Sequence, residues 1–506
     1  MKSTIKIFYV FLIVLFYGCI QSKTTSDNTL EQPNILWIMA EDIGLDLECY
    51  DTPAVRTPVL NQLAGEGVLF TKAYGTNSIC SPSRSNMITG VHQNVSNTQH
   101  HRSNRQIPLK TPYKPITSYL RDAGYTTILG SHLVRGKGRK IDVNFKHKPL
   151  GKWDGISQFG LFDKHDSIQV TDQPFFAQVT LAVTHRGDWW NQIRKESEHP
   201  VDPAKVILPP YFADNEIIRE DWAKYLDQIE YMDNEVGLLL ADLETKGMRD
   251  NTIVIFVGDN GRCNIRGKGY LYDPGLHIPL IVNWPAKLSG GKNDERLVST
   301  IDIAASILEA AGVTIPDYMT AKPFINNEDH IRDYVYSARD LWDEVLEQSR
   351  AITTTKYRYI RNNVTDQAHD AQQAYLEFHR PAVHIMRGLK ENGKLNDLQL
   401  KFFDPQKEFE ELYDLQKDPH ETTNLIKDPM YSEVLVQMRS NYEDWNCKNR
   451  DHGLEQINWN DVTLPKATNV LKWLEEEKPE ILEQMRQGIE PGYGKIGKAY
   501  RERKTD

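Results

Sequence analysis

Residues 34–40 (Asn-Ile-Leu-Trp-Ile-Met-Ala) are apolar at nearly every position, and Pro33 leads into them. A run of that length without polar alternation suits a strand covered on both faces. Similar runs recur at residues 126–129, 174–181, 252–257 and 279–282. Between them the period changes. Over about residues 215–246, Trp222, Leu226, Ile229, Met232, Val236, Leu239 and Leu243 recur at three- and four-residue spacing, and Gly247 is placed to stop the helix. Shorter helical patterns fall at 58–65, 116–123 and 301–311. Strands alternating with helices predict a mostly parallel sheet with helices on both faces.

The last third changes character. Residues 351–361 (Ala-Ile-Thr-Thr-Thr-Lys-Tyr-Arg-Tyr-Ile-Arg) read as hairpin material, followed by a weakly periodic polar stretch and a charged helix near 431–444. The expected organisation is a catalytic domain over 33–345 and a smaller α+β C-terminal domain over 346–506. A length of 506 residues accommodates both. Residues 1–22 read as an export signal: Lys2 and Lys6 precede the apolar run 7–17, which ends in Gly18-Cys19 and is too short for a comfortable membrane anchor. Cys19, before a polar Ser/Thr-rich stretch, resembles the lipid-modified cysteine of bacterial lipoproteins. The alternative is a plain cleaved signal. The expected location is the periplasm or cell surface, with membrane attachment only through a lipid on Cys19.

Composition narrows the function. With 60 basic and 70 acidic residues the net charge is −10, so the chain lacks the basic footprint of a nucleic-acid binder. Any attraction for an anionic substrate must be local. Beyond the signal only Cys49, Cys80, Cys263 and Cys447 remain, too few for a disulfide framework in a chain this long.

Candidate chemistry gathers at a few places. Cys80-Ser81-Pro82-Ser83-Arg84 predicts a cysteine at a helix start, where free N–H groups and Arg84 would stabilise negative charge. That makes Cys80 a nucleophile candidate, with a structural turn as the alternative. Glu41-Asp42 follows the first apolar run, and Asp259-Asn260-Gly261 follows the run at 252–257, as carboxylates lining the crevice of an open α/β sheet would. Oxygen-rich strand ends suit a hard divalent cation, Ca²⁺ or Mg²⁺. His185 lies just beyond the strand 174–181, and Lys268 shortly after the second carboxylate pair. The loop Gln99-His100-His101-Arg102 offers three donors to an anionic ligand, or is plain surface. Trp189 and Trp190 either stack on a ligand face or pack.

Cys80-x-Pro82-Ser83-Arg84, followed by Thr89-Gly90, resembles the signature of type I sulfatases, in which a maturation enzyme oxidises the cysteine to Cα-formylglycine. The resemblance implies an alkaline-phosphatase-like fold: a mostly parallel sheet flanked by helices. It also implies a hydrated aldehyde at Cys80, one hydroxyl attacking sulfur to expel the sugar alcohol and the other helping to eliminate sulfate. By the same resemblance Glu41, Asp42, Asp259 and Asn260, with the modified Cys80, hold the metal, Ca²⁺ before Mg²⁺. Glu41 departs from the commoner Asp. Arg84 belongs to the catalytic set. Lys268, in a Gly-Lys segment preceding Tyr272-Asp273-x-Gly275-x-x-x-Pro279, would bind sulfate, and His185 would serve the sulfate or the leaving oxygen as general acid.

Many sulfatases carry Lys-x-His after the strand at 126–129, whereas this chain reads Gly130-Ser131-His132-Leu133. Lys140-x-Asp142 followed by Asn144-Phe145, with Trp153-Asp154 beyond, is similar to a polysaccharide sulfatase branch resembling heparan N-sulfatases. Lys140 with Asp142 is therefore favoured over His132 for the leaving-group side. Glu410-Glu411-Leu412-Tyr413-Asp414-Leu415, ending at Asn424-Leu425, resembles a structural string of the sulfatase C-terminal domain.

The expected activity is hydrolysis of sulfate esters on a polysaccharide, with algal glycans such as ulvan favoured. N-sulfate or glycosaminoglycan hydrolysis, phosphoester or phosphonate hydrolysis, and a surface glycan-binding lipoprotein are the alternatives. The expected partners are a sulfated carbohydrate and a formylglycine-generating enzyme.

Overall fold

The computed structural model describes residues 32–502, apart from 104, 156, 328, 330, 331, 371, 372 and 458–469. The expected export segment with Cys19 lies outside the described residues. In chain order the strands are β1 Asn34–Ala40, β2 Val68–Phe70, β3 Ala73–Tyr74, β4 Thr126–Leu129, β5 Lys164–His165, β6 Phe175–Leu181 and β7 Thr252–Gly258. There follow β8 Leu280–Asn283, β9 Lys292–Asp294, β10 Val298–Ser299, β11 Val335–Trp342, β12 Val345–Thr353, β13 Tyr357–Asn362 and β14 Glu410–Asp414.

Eight strands form one sheet in the order β5-β4-β6-β1-β7-β8-β2-β9. Its pairings are parallel except β7–β8 and β8–β2, so β8 alone runs against the others. The unbroken apolar character of β1 follows from its central place. Leu36, Ile38 and Ala40 enter the core on one face of the sheet, and Ile35, Trp37 and Met39 enter the core on the other.

The predicted long helix is Glu216–Thr245, capped by Asn215, whose side chain accepts the Ile217 N–H at 2.9 Å. Such a cap is worth about 1 kcal/mol. Helices at Pro58–Glu66, Ile116–Asp122 and Asp302–Ala310 agree with the periodic patterns to within a residue. The helix Cys80–Thr89 is different: every residue in it is buried. It stops at Gly90, whose φ of 65° and the Met319 sulfur 2.9 Å from a would-be Cβ leave room only for glycine.

A second sheet, β11-β12-β13-β14, is antiparallel, and the expected hairpin material is its β12–β13 pair. Position 345 opens β12, while the first strand of this sheet begins at Val335. Strand β11 lies against the segment entering the Cys80 helix. The Ala338 N–H donates to Thr76 O at 2.9 Å, Asn77 Nδ2 to Ala338 O at 2.6 Å, and the His101 N–H to Leu341 O at 2.9 Å. Helix Ser432–Lys448 follows β14. Cys49, Cys80, Cys263 and Cys447 form no disulfide. No described helix is long and apolar enough to cross a membrane.

Candidate active site

The sheet order brings the site together. β1 lies between β6 and β7, with Ala40 opposite both Leu181 and Gly258. Their carboxyl ends therefore release Glu41-Asp42, Asp259-Asn260 and the His185 loop side by side. The crossing is pinned by backbone groups: the Glu41 N–H donates to Leu181 O at 3.2 Å and the Asp259 N–H to Ala40 O at 3.0 Å. Asp42 takes a left-handed conformation, φ 50°, and its N–H donates to Asp259 Oδ1 at 3.0 Å. Holding a non-glycine residue there costs backbone strain, which the surrounding bonds offset.

Three buried carboxylates meet four basic groups. Lys268 Nζ reaches both Asp42 oxygens, at 2.7 and 2.8 Å. Lys140 Nζ lies 2.6 Å from Glu41 Oε2. His185 Nδ1 lies 2.9 Å from Asp42 Oδ2 and 3.2 Å from Glu41 Oε2. Arg84 donates from Nε to Asp259 Oδ2 at 2.8 Å and sets Nη2 3.3 Å from Glu41 Oε1. The sulfur of Cys80 is 3.6 Å from Asp42 Oδ1.

Burial and charge set the protonation states. Burial alone would raise the Glu41 and Asp42 carboxyls, but Lys140 and Arg84 beside Glu41, and Lys268 beside Asp42, hold both below the usual range. Asp259 is pushed up to about 6 by burial, which Arg84 only partly offsets. Burial lowers His185, with Lys140 adding to it, so the imidazole is neutral at pH 7. Burial would also lower Lys268, but Asp42 overrides it and keeps the ammonium charged.

Cys80 corrects the expectation from local sequence. Its helix start was expected to favour a thiolate with Arg84 beside it. Burial instead pushes the thiol well above its ordinary value, and Asp42 and Asp259 add to this, while the Arg84 guanidinium is taken up by Asp259 and Glu41. An unmodified thiol here is protonated and a poor nucleophile.

The donor set fits a hard cation. Asn260 Nδ2 donates to Asp42 Oδ1 at 3.0 Å, while Asn260 Oδ1 is buried with no hydrogen-bond partner among the described residues. A buried orphan acceptor is costly unless something electropositive completes it. Ligand atoms of Asp42, Cys80 and His185 also lie within 4.8 Å of one another. Glu41, Asp42, Asp259 and Asn260 offer oxygen, as Ca²⁺ or Mg²⁺ prefers.

Above this cluster opens a cavity of about 280 Å³, lined among others by His101, Arg102, His185 and Lys268. Asp142, also left-handed at φ 50°, lies 3.6 Å from Lys140 and binds Arg102 through both oxygens, at 3.2 and 2.8 Å. Arg105 pairs with it too. Lys140 thus reaches the carboxylate cluster with Asp142 beside it, although neither lines the cavity.

Two expected substrate contacts are placed differently. His132 is exposed after β4, its Nδ1 3.2 Å from the Asp166 carbonyl, and it does not line the cavity. His100 is buried against Gln99, with Asp340 and Arg350 as its charged neighbours, and it does not line the cavity. Asn144 holds that loop by donating to Thr98 O at 2.9 Å and to His100 O. Of the two tryptophans, Trp189 lines the cavity and Trp190 packs against Tyr225. Trp342, Asp343, Tyr375 and His379 also line the cavity and were missed. They come from the β11–β12 turn and the short helix Ala374–His379, segments with no motif to mark them.

A buried cysteine ringed by carboxylates and cations at the ends of parallel strands suits a site that binds a cation together with a tetrahedral oxyanion. The family model described as Sulfatase matches residues 33–313. The one described as N-sulphoglucosamine sulphohydrolase, C-terminal, matches residues 261–371. An ulvan-active sulfatase of Formosa agariphila is 31% identical over 467 residues, covering 84% of this chain and 76% of the relative. Human N-sulphoglucosamine sulphohydrolase is 29% identical over 310 residues, covering 56% of this chain and 62% of the relative. A solved 2-O GAG sulfatase shares the fold, with a TM-score of 0.60 at 17% identity, covering 86% of this chain and 95% of that one. The chain belongs to the sulfatase family and is a sulfuric ester hydrolase of alkaline-phosphatase-like fold.

Proposed function

We propose that this protein is an exported sulfatase acting on sulfate esters of a polysaccharide or its oligosaccharides, with ulvan the favoured substrate. In this reading Cys80 is converted to formylglycine and Glu41, Asp42, Asp259 and Asn260 hold Ca²⁺. The observation that carries it is the convergence of these four residues with Arg84, Lys140, His185 and Lys268 around Cys80, with His185 and Lys268 also lining a cavity. The substrate class rests on the ulvan-active relative. Export, and a lipid on Cys19, rest on the pattern of residues 1–22.

The formylglycine hydrate would supply the attacking oxygen, and the cation would polarise the sulfate. The chain's own residues do the rest. Arg84 touches Asp259 and Glu41 and so orients the carboxylates. Lys268 and Lys140 bring positive charge to the place where sulfate oxygens must sit. Neutral His185 turns Nδ1 to the carboxylates and Nε2 to the Tyr375 hydroxyl, 3.3 Å away, where a ring nitrogen can hold or pass the leaving-group proton.

The test is sulfate release, read by ion chromatography, from ulvan, carrageenan, fucoidan, chondroitin sulfate and heparan sulfate oligosaccharides. The protein is co-expressed with a formylglycine-generating enzyme. Release from ulvan is the expected result, and silence across the panel refutes the reading. A second reading, N-sulfate hydrolysis, is favoured by the match at residues 261–371. Free amine appearing with the sulfate, from heparan fragments alone, would establish it.

A further inference from the structure

The side of the cavity facing the β11–β12 turn carries no residue that the sulfate chemistry uses. Trp342 ends β11 and Asp343 follows it at the turn, with φ 49°. The Asp343 side chain is 25% exposed and faces the cavity. His101 Nδ1 lies 3.0 Å from its Oδ1 and Gln373 Nε2 donates to its Oδ2 at 2.7 Å. A carboxylate oxygen accepts two hydrogen bonds, so each retains capacity towards the cavity. Burial alone would raise this carboxyl, but His101 and Arg102 hold it below the usual range, so it is ionised at neutral pH.

Among the described residues no lysine or arginine forms an ion pair with Asp343, although Arg102 is near enough to favour its charge. Of the cationic side chains lining the cavity, Arg102 pairs with Asp142, Arg186 with Asp221 and Glu490, and Lys268 with Asp42. Trp342 and Tyr375 line the same cavity as Asp343 and give it aromatic surface. Apolar flanks with one fixed acceptor match a sugar ring presenting C–H faces and a hydroxyl.

We propose that Asp343 is a specificity-determining residue: it accepts a hydroxyl of the sugar bearing the scissile sulfate and rejects sugars with a second sulfate or a carboxylate on that side. This rests on the sulfatase reading above. A hydroxyl gains a charge-assisted hydrogen bond, whereas an anion meets a like charge in a partly desolvated space.

The test uses methyl pyranoside monosulfates and the disulfates made from them, covering all ring positions. Binding is measured by calorimetry on the protein with Cys80 left as the thiol, which separates recognition from turnover. Hydrolysis is measured on the formylglycine-containing protein. The wild type is expected to bind at least one monosulfate about tenfold or more tighter than its disulfates, and Asp343→Asn to reduce that ratio to about threefold or less. Asp343→Leu is expected to weaken the preferred monosulfate about tenfold or more. Unchanged thermal melting of Asp343→Asn excludes misfolding as the cause. Equal binding of mono- and disulfates by the wild type, no binding of any saccharide, or an unchanged ratio in Asp343→Asn would each overturn the proposal. A binding preference that depends on Asp343, without hydrolysis of any ester, would keep Asp343 as the residue selecting the bound sugar but refute the proposed substrate reading, since no bound sulfate would then be scissile.

Discussion

Lys268→Met removes one partner of the buried Asp42–Lys268 pair while keeping the aliphatic stem. The ammonium touches both Asp42 oxygens, and both side chains are nearly inaccessible, at 3% and 0%. Removing one partner of such a pair typically costs 3–5 kcal/mol, because the remaining charge stays buried. Asp42 would keep Asn260 Nδ2 at 3.0 Å and His185 Nδ1 at 2.9 Å, which places the expected loss near the lower end, about 3 kcal/mol. The assay is equilibrium urea unfolding followed by tryptophan fluorescence, first with EDTA and then with millimolar Ca²⁺. The variant should recover more stability on adding Ca²⁺ than the wild type does, because a cation at Asp42 replaces the lost positive charge. A loss below about 1 kcal/mol in EDTA would refute the energetic reasoning. An identical Ca²⁺ response in both proteins would remove Asp42 from the metal site.

Cys80→Ala should abolish hydrolysis and leave the melting temperature within a few degrees of wild type; residual activity above about 1% would refute Cys80 as the source of the nucleophile. Lys140→Met should lower kcat/KM at least about a hundredfold, and exposed His132→Ala less than about twofold, when sulfate release is measured. The reverse order would restore His132 to the site. Burial pushes Glu235 up from its ordinary 4.5 to about 7. Between those values the native state holds a proton that the unfolded chain releases. The contribution of Glu235 to stability is therefore complete below about pH 4.5 and is lost as the pH rises through about 7. Glu235→Gln should stabilise the protein by about 1–3 kcal/mol at pH 8 and by little at pH 5 in urea titrations, and equal effects at the two pH values would contradict the burial argument.

Much of the site was legible because its residues follow elements with strong local signals. The apolar run of β1 ends in Glu41-Asp42 and that of β7 in Asp259-Asn260, so strand detection and site detection were one step. The same logic found His185 beyond β6. It failed for His100, since His100 and His101 are both buried and only packing decides that His101 alone of the two lines the cavity. It also failed for Asp343 and Tyr375. Their contacts with His101 and His185 join residues separated by 242 and 190 positions, and no periodicity or motif carries that information.

The sequence alone determined the alternation of strands and helices, the oxygen-rich strand ends and the sulfatase signature at Cys80, because these depend on short-range pattern and residue chemistry. The tertiary structure decided the charge partners. Arg84 looks in sequence like a neighbour for the Cys80 thiol. The sheet order sets Asp259 and Glu41 on either side of it instead, and the burial that follows keeps the thiol protonated. Lys140 rather than His132 reaches Glu41 because the chain after β4 folds back over the end of β1. Electrostatic roles fall off steeply with distance and rise with desolvation, and both quantities exist only once the strands have been placed side by side.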